Sequence, residues 1–249
     1  MYYENSEDKS SWRNLITLIA DDDKTSTKPD GHAEHTAPSE NLANNIIPES
    51  FDLKKIYLAD YAAVITGNGR RKPSVNTDII KTINDGTLVI NYIGHGNPEL
   101  WAHEVVFDRT ASFPQLHNDR YFFLCTATCD YGYFDVPNFQ SGAEDLLFFP
   151  DKGSIADFCS SRLVYSGENH SLNYALFTKL LTLPRDTLNL PVTIGKAVFE
   201  TKINGHYSSV NDQKYYLFGD PTLRLLIPEY NASYLVCSKR SFWQIIQGH

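Results

Sequence analysis

TLVINYIGHG, Thr87–Gly96, is the stretch on which the fold turns. Its first seven residues, Thr87–Ile93, are mostly β-branched or apolar, with no alternation of polar and apolar positions. That is the pattern of a strand buried on both faces, at the centre of a parallel sheet. The run stops at Gly94-His95-Gly96, where two glycines let the backbone turn sharply around one imidazole. YFFLCTAT, Tyr121–Thr128, repeats the character and leads into Cys129, Asp130 and Gly132. Ligands of open α/β sheets bind beyond the carboxyl ends of the strands. Each of these two strands therefore delivers one reactive side chain to the edge where chemistry takes place.

Outward from this pair, strands alternate with helices. LITLIA (Leu15–Ala20) reads as a buried strand running into Asp21, Asp22 and Asp23. KKIYLA (Lys54–Ala59) and GSIADF (Gly153–Phe158) read as two more. Helices are predicted from Ser39 to the stop at Pro48, and from a Ser74 cap through Val75–Asn84 to Asp85-Gly86. Another begins at a Ser141 cap in SGAEDLLFF. Asn169–Leu181 places Leu172, Leu176, Phe177 and Leu180 on one face. Thr193–Asn204 is the last predicted helix, Gly67–Pro73 reads as a loop, and YYLFGDPTLRLLIP (Tyr215–Pro228) closes the regular pattern. The alternation predicts an α/β fold, a mostly parallel sheet covered by helices on both faces.

A chain of 249 residues can bury a substantial core. Its net charge of −8 and the lack of a basic run argue against a nucleic-acid partner. No apolar stretch is long enough to span a bilayer. The opening MYYENSEDKSSW is polar and does not read as a signal peptide. Four cysteines, Cys125, Cys129, Cys159 and Cys237, are too few for a disulfide scaffold at this length.

Cys129 and His95 suit a nucleophile and its base, because the thiolate is the reactive form and a neighbouring imidazolium lowers a thiol pKa. The amides of Gly96 and Cys129 are candidate oxyanion donors. Cys125 lies inside its strand and should be buried and inert. The plain alternative is a core cysteine and a structural histidine. A zinc site of Cys125, Cys129, His95 and His103, as in a metal-dependent hydrolase, is a third reading, although Cys-x3-Cys lacks the tight knuckle of structural zinc sites. Asp21–Asp23 could hold a calcium ion, orient a histidine, or form a solvated acidic turn. Arg162 and Tyr165, in the Arg162–Gly167 segment after a strand expected beside Cys129, are candidate substrate contacts, with Arg162 alternatively paired to a loop carboxylate.

NYIGHGNPELWAHE, FFLCTATCDYGYFD, SGAEDLL, KGSIADFCSSRLVYSGENHSLNYALF, IGKAVFETK and YYLFGDPTLRL occur together and in this order between about Trp12 and Pro228. In these motifs the chain resembles the gingipain family of cysteine peptidases, and within it the sortase branch of type IX secretion. The resemblance implies a caspase-like fold and a Cys–His dyad, with His95 the catalytic histidine and Cys129 the nucleophile. It implies that Asp23, or Asp22 beside it, orients His95, and that Trp101 of the GHG-x4-W motif contributes to substrate binding. It implies an endopeptidase or transpeptidase acting on a protein or peptide, here the C-terminal signals of proteins exported by type IX secretion. No cofactor is required, and structural calcium is compatible. Partners would include type IX secretion components, and the parent protein would be exported to the outer membrane or cell surface. The acid that selects arginine in arginine-specific gingipains has no counterpart in HTAPSEN (His35–Asn41), so cleavage after arginine is not expected. Asp157 stands in a strand that is apolar in many relatives. Residues 1–228 read as the catalytic domain without its N-terminal subdomain, and 229–249 as the start of a following segment. A truncated, inactive fragment acting at most as a binding module is the alternative.

Overall fold

The computed structural model describes residues 3–24, 31, 33–182, 190–203 and 210–228. In chain order the strands are β1 (Leu15–Ala20), β2 (Asp52–Tyr57), β3 (Val64–Thr66), β4 (Gly69–Arg71), β5 (Val89–Ile93), β6 (Leu100–Trp101), β7 (Phe107–Asp108), β8 (Phe122–Ala127), β9 (Ser154–Ser160) and β10 (Tyr215–Gly219). The helices are α1 (Thr36–Asn45), α2 (Pro73–Asp85), α3 (Gly142–Phe148), α4 (Ser166–Thr182), α5 (Ile194–Thr201) and the short α6 (Val210–Gln213). Among the described residues, one six-stranded sheet runs β10-β9-β8-β5-β1-β2, and β3–β4 and β6–β7 form two small hairpins. All neighbours in the main sheet are parallel except β10, which pairs antiparallel with β9.

β5 and β8 lie at the centre and are buried at every position. Their side chains alternate between two cores. Val89, Ile93, Phe123, Cys125 and Ala127 face one side, where α1, α4 and α5 contribute Leu42, Leu172, Leu176, Phe177, Ile194 and Val198. Ile90, Tyr92, Phe122 and Leu124 face the other, against Val75, Ile79 and Ile83 of α2, Leu146 of α3, and Trp101 and Phe107 of the β6–β7 hairpin. A continuous apolar run is what a strand needs when helices cover both of its faces.

Several boundaries move, each for a local reason. α1 starts at Thr36 rather than Ser39, with Pro38 inside its first turn, where a missing N–H goes unused. α2 starts at Pro73, whose fixed φ suits the first helical position, so Ser74 is inside the helix and not its cap. Gly86 (φ 100°) ends α2 by donating to the carbonyls of Thr82 and Ile83. The expected loop Gly67–Pro73 contains β4, and the second strand begins at Asp52. Ser141 caps α3 as expected, in a capping box with Glu144. The tail from 229 onward, including Cys237, lies outside the described residues.

Candidate active site

The sheet register places His95 and Cys129 at the same edge of the sheet. Ile93 pairs with Ala127 at the carboxyl ends of β5 and β8. His95 and Cys129 each lie two residues beyond that pair. Equal offsets from a parallel pair start both turns at one edge of the sheet, from neighbouring strands about 4.8 Å apart. Both residues line one cavity of about 220 Å³, walled also by Glu34, His35, Val164, Tyr165 and Ser166. Gly94 is obligatory there, since a Cβ would come within 2.4 Å of Asp21 Cβ and 2.5 Å of the Tyr92 hydroxyl. A Cβ on Gly96 would come within 2.6 Å of Thr128 Oγ1.

The loop carrying His95 is held through its backbone. Its N–H donates to Asp21 Oδ2 (3.0 Å), and its carbonyl accepts from the Tyr92 hydroxyl (2.6 Å) and from the Ala102 amide (2.9 Å). The imidazole packs edge-on against His35 (5.3 Å between centroids) and tilted against His103 (5.0 Å). Burial, and then the neighbouring His103, lower the His95 pKa, while Glu34, Glu104 and Asp22 favour its charged form. The Cys129 sulfur lies 3.5 Å from the Val164 carbonyl and 3.4 Å from the Val164 amide. Burial, and secondarily the charge of Asp130, raise its pKa. Burial thus favours the neutral form of each group. The amides of Gly96 and Cys129 donate to no acceptor among the described residues. Asp130 adopts φ 56°, the left-handed turn that folds the chain back behind Cys129.

The expected orienting acids are engaged elsewhere. Asp22 is buried against Lys72 Nζ (2.7 Å) and Arg70 Nη1 (3.0 Å). Burial opposes its ionisation, but these two cations outweigh burial and hold its pKa low. Asp23 accepts the amides of Ala33 (2.7 Å) and Glu34 (3.0 Å), fixing the loop that leads into α1. Asp21, the first residue of the run, is the one that meets the His95 loop. It follows Ala20, which pairs with Ile93, so it lies opposite Gly94. Burial pushes its pKa up to about 8. The carboxylates of Asp21, Asp22 and Glu104 cluster, and Lys72 and Arg70 supply the positive charge among them.

Trp101 offers no surface to a substrate. It is fully buried, stacked on Tyr92 at 4.5 Å and packed on Phe107 and Tyr131. Its burial supports the turn beneath His95, since it bridges back to Gly96. Arg162 forms a two-pronged ion pair with Asp135, with its Nη1 2.9 Å from Oδ1, and lies over the Tyr133 ring, outside the cavity wall. Tyr165 is exposed and lines the cavity. Cys125 is buried, with its sulfur 3.4 Å from Asn173 Oδ1, and burial raises its pKa. Cys125, Cys129 and Cys159 are free thiols. Of the proposed zinc ligands, His95 and His103 are ring neighbours, whereas Cys125 points into the core. Glu34 and His35 were missed. The signal for them was their place at the start of a helix whose N-terminus the topology brings to the carboxyl edge of β1.

The family model of peptidase family C25 matches residues 1–226. No curated protein sequence matches the chain significantly. Among solved structures it is similar to the Arg-specific cysteine proteinase gingipain R (RgpB), at 22% identity and a TM-score of 0.65, over 88% of this chain and 49% of that one. It is also similar to the complex of Porphyromonas gingivalis RgpB pro- and mature domains, at 18% identity and a TM-score of 0.63, over 88% of this chain and 50% of that one. At these identities the structural likeness is one of fold, and the chain spans about half the length of the gingipain chains it matches. The family model covers nearly the whole described chain in a single match, and the chain belongs to peptidase family C25.

Proposed function

We propose that the protein is a cysteine peptidase or transpeptidase with Cys129 as nucleophile and His95 as its general base. The observation that carries this reading is the single cavity shared by His95 and Cys129 at the carboxyl ends of the two central strands. His95 takes the thiol proton as Sγ bonds to the substrate carbonyl carbon. Glu34 and Glu104 favour the imidazolium that forms. The amides of Gly96 and Cys129 are free to bind the oxygen that gains charge. The imidazolium then protonates the departing amine, leaving an acyl thioester on Cys129. Water resolves it in hydrolysis and an amine in transpeptidation, and the same two groups serve both.

The finer reading is processing of C-terminal signals on proteins exported by type IX secretion, by a parent protein at the outer membrane or cell surface. It rests on the sequence resemblance. No helix among the described residues is long and apolar enough to cross a membrane.

Acylation by an activated peptidyl ester tests the chemistry. The wild-type chain should acquire one acyl group, on Cys129, and Cys129→Ala should acquire none. His95→Ala should slow acylation by about 10²-fold or more, the usual contribution of a positioned base. Acylation of Cys125 instead, or an unchanged rate in His95→Ala, would overturn the assignment.

A further inference from the structure

We propose that Asp21, His35 and His95 form a reversible Zn²⁺ site that withdraws His95 from Cys129 and so regulates the enzyme. The inference rests on the reading of His95 as the base. One ligand atom from each of the three side chains lies within 4.8 Å of the other two. Two imidazoles and a carboxylate are a common zinc donor set with one open position, and tetrahedral zinc spaces its ligand atoms by roughly 3.3 Å, so side-chain rotations of about 1.5 Å would close the set.

The second observation is His35. It is only 3% exposed, yet neither Nδ1 nor Nε2 has a hydrogen-bond partner among the described residues. A buried imidazole ordinarily satisfies both nitrogens. His35 instead turns its ring to that of His95 and walls the same cavity. Its place at the residue before α1 is not explained by capping, since its side chain makes no cap bond. The other carboxylate cluster, Asp21, Asp22 and Glu104, already contains Lys72 and Arg70 and has no need of a metal. The set of Asp21, His35 and His95 contains no such cation.

Metal-ligating histidines usually donate their second nitrogen to an outer partner, whose loss weakens binding about 10- to 100-fold. His35 has none, so the site should be reversible rather than structural. Zinc held there occupies the His95 lone pair that would accept the thiol proton, and acylation slows.

Zinc titration of the 249-residue chain, read by competition with a chromophoric chelator, tests this directly. Wild type should bind one Zn²⁺, and His35→Asn should bind at least tenfold more weakly while keeping the wild-type circular dichroism spectrum. Cys129→Ala should bind within about threefold of wild type. Zinc should slow acylation of wild type reversibly, with recovery on adding EDTA, and should not alter the rate of His35→Asn. No binding, equal binding by His35→Asn, or loss of binding in Cys129→Ala would overturn the proposal, the last by moving the metal to the thiol. If His95→Ala acylates at the wild-type rate without zinc, the function reading has failed, whatever the metal does.

Discussion

As the proposed nucleophile, Cys129 reacts only when its proton leaves, and its surroundings set when that happens. Burial and the charge of Asp130 raise its pKa, while burial and His103 lower that of His95. Alkylation of Cys129 by iodoacetamide should therefore rise with pH through an apparent value above the ordinary thiol range of about 8.5. A plateau of full reactivity reaching down to pH 6 would reveal a preformed ion pair and rule out this account. Asp157 is a second residue governed by burial. It is wholly inaccessible, between Leu124 of β8 and Phe218 of β10. Burial raises its pKa well above the ordinary carboxylate value. The folded chain thus keeps a proton that the unfolded chain loses above about pH 4, so the stability tied to Asp157 is complete below that pH and lost as pH rises through the folded value. Asp157→Asn removes this dependence. Its melting temperature relative to wild type should climb steadily from pH 5 to pH 9, and parallel curves would show that Asp157 is already satisfied.

At the scale of elements, the β1–β5 and β5–β8 pairs do the positioning. Ala20, Ile93 and Ala127 are consecutive partners across three parallel strands, so Asp21, Gly94 and Thr128 begin their turns side by side. Space is tight at Gly94, between the Asp21 and Tyr92 side chains. Gly94→Ala should cost about 1–3 kcal/mol in urea unfolding, the usual penalty for overpacking a rigid site. It should also reduce acylation of Cys129 by more than its effect on folding explains, because the displaced turn carries His95. A variant as reactive as wild type would mean that the turn relaxes without moving the imidazole. Helix starts tell a related story. Ser141 was recognisable because a capping box needs only local spacing, Ser141 with Glu144. α1 was placed three residues late because Pro38, which reads as a helix boundary, is tolerated within a first turn.

Across the whole molecule, the two cores depend on a sheet closed at one side by a strand running the other way. β10 covers the edge of β9, and its Tyr215 is buried and stacked on Phe158 at 5.3 Å. A chain ending before Tyr215 would expose the unpaired β9 edge and remove one of the largest buried side chains, worth about 2–3 kcal/mol of apolar burial. Such a chain should show no cooperative thermal transition or should aggregate. A wild-type melting curve from it would mean that β10 is an accessory to the fold.

The sequence by itself determined the alternation of elements, the buried strands β1, β5, β8 and β9, and the placement of His95 and Cys129 just beyond two strand ends. These are properties of apolar runs, glycine turns and caps, which act over a few residues. Cys125 could be separated from Cys129 in the same way, by counting within one strand. Tertiary structure alone decided which partners those positions meet. Asp21, rather than Asp22 or Asp23, reaches the His95 loop because the β1–β5 register sets it opposite Gly94, and register is a relation between strands more than 70 residues apart. Trp101 went to the core and Arg162 to Asp135 because burial and charge pairing depend on what the chain folds beside them. The antiparallel course of β10 and the arrival of His35 beside His95 have the same origin: contacts between distant segments, whose geometry no local pattern encodes.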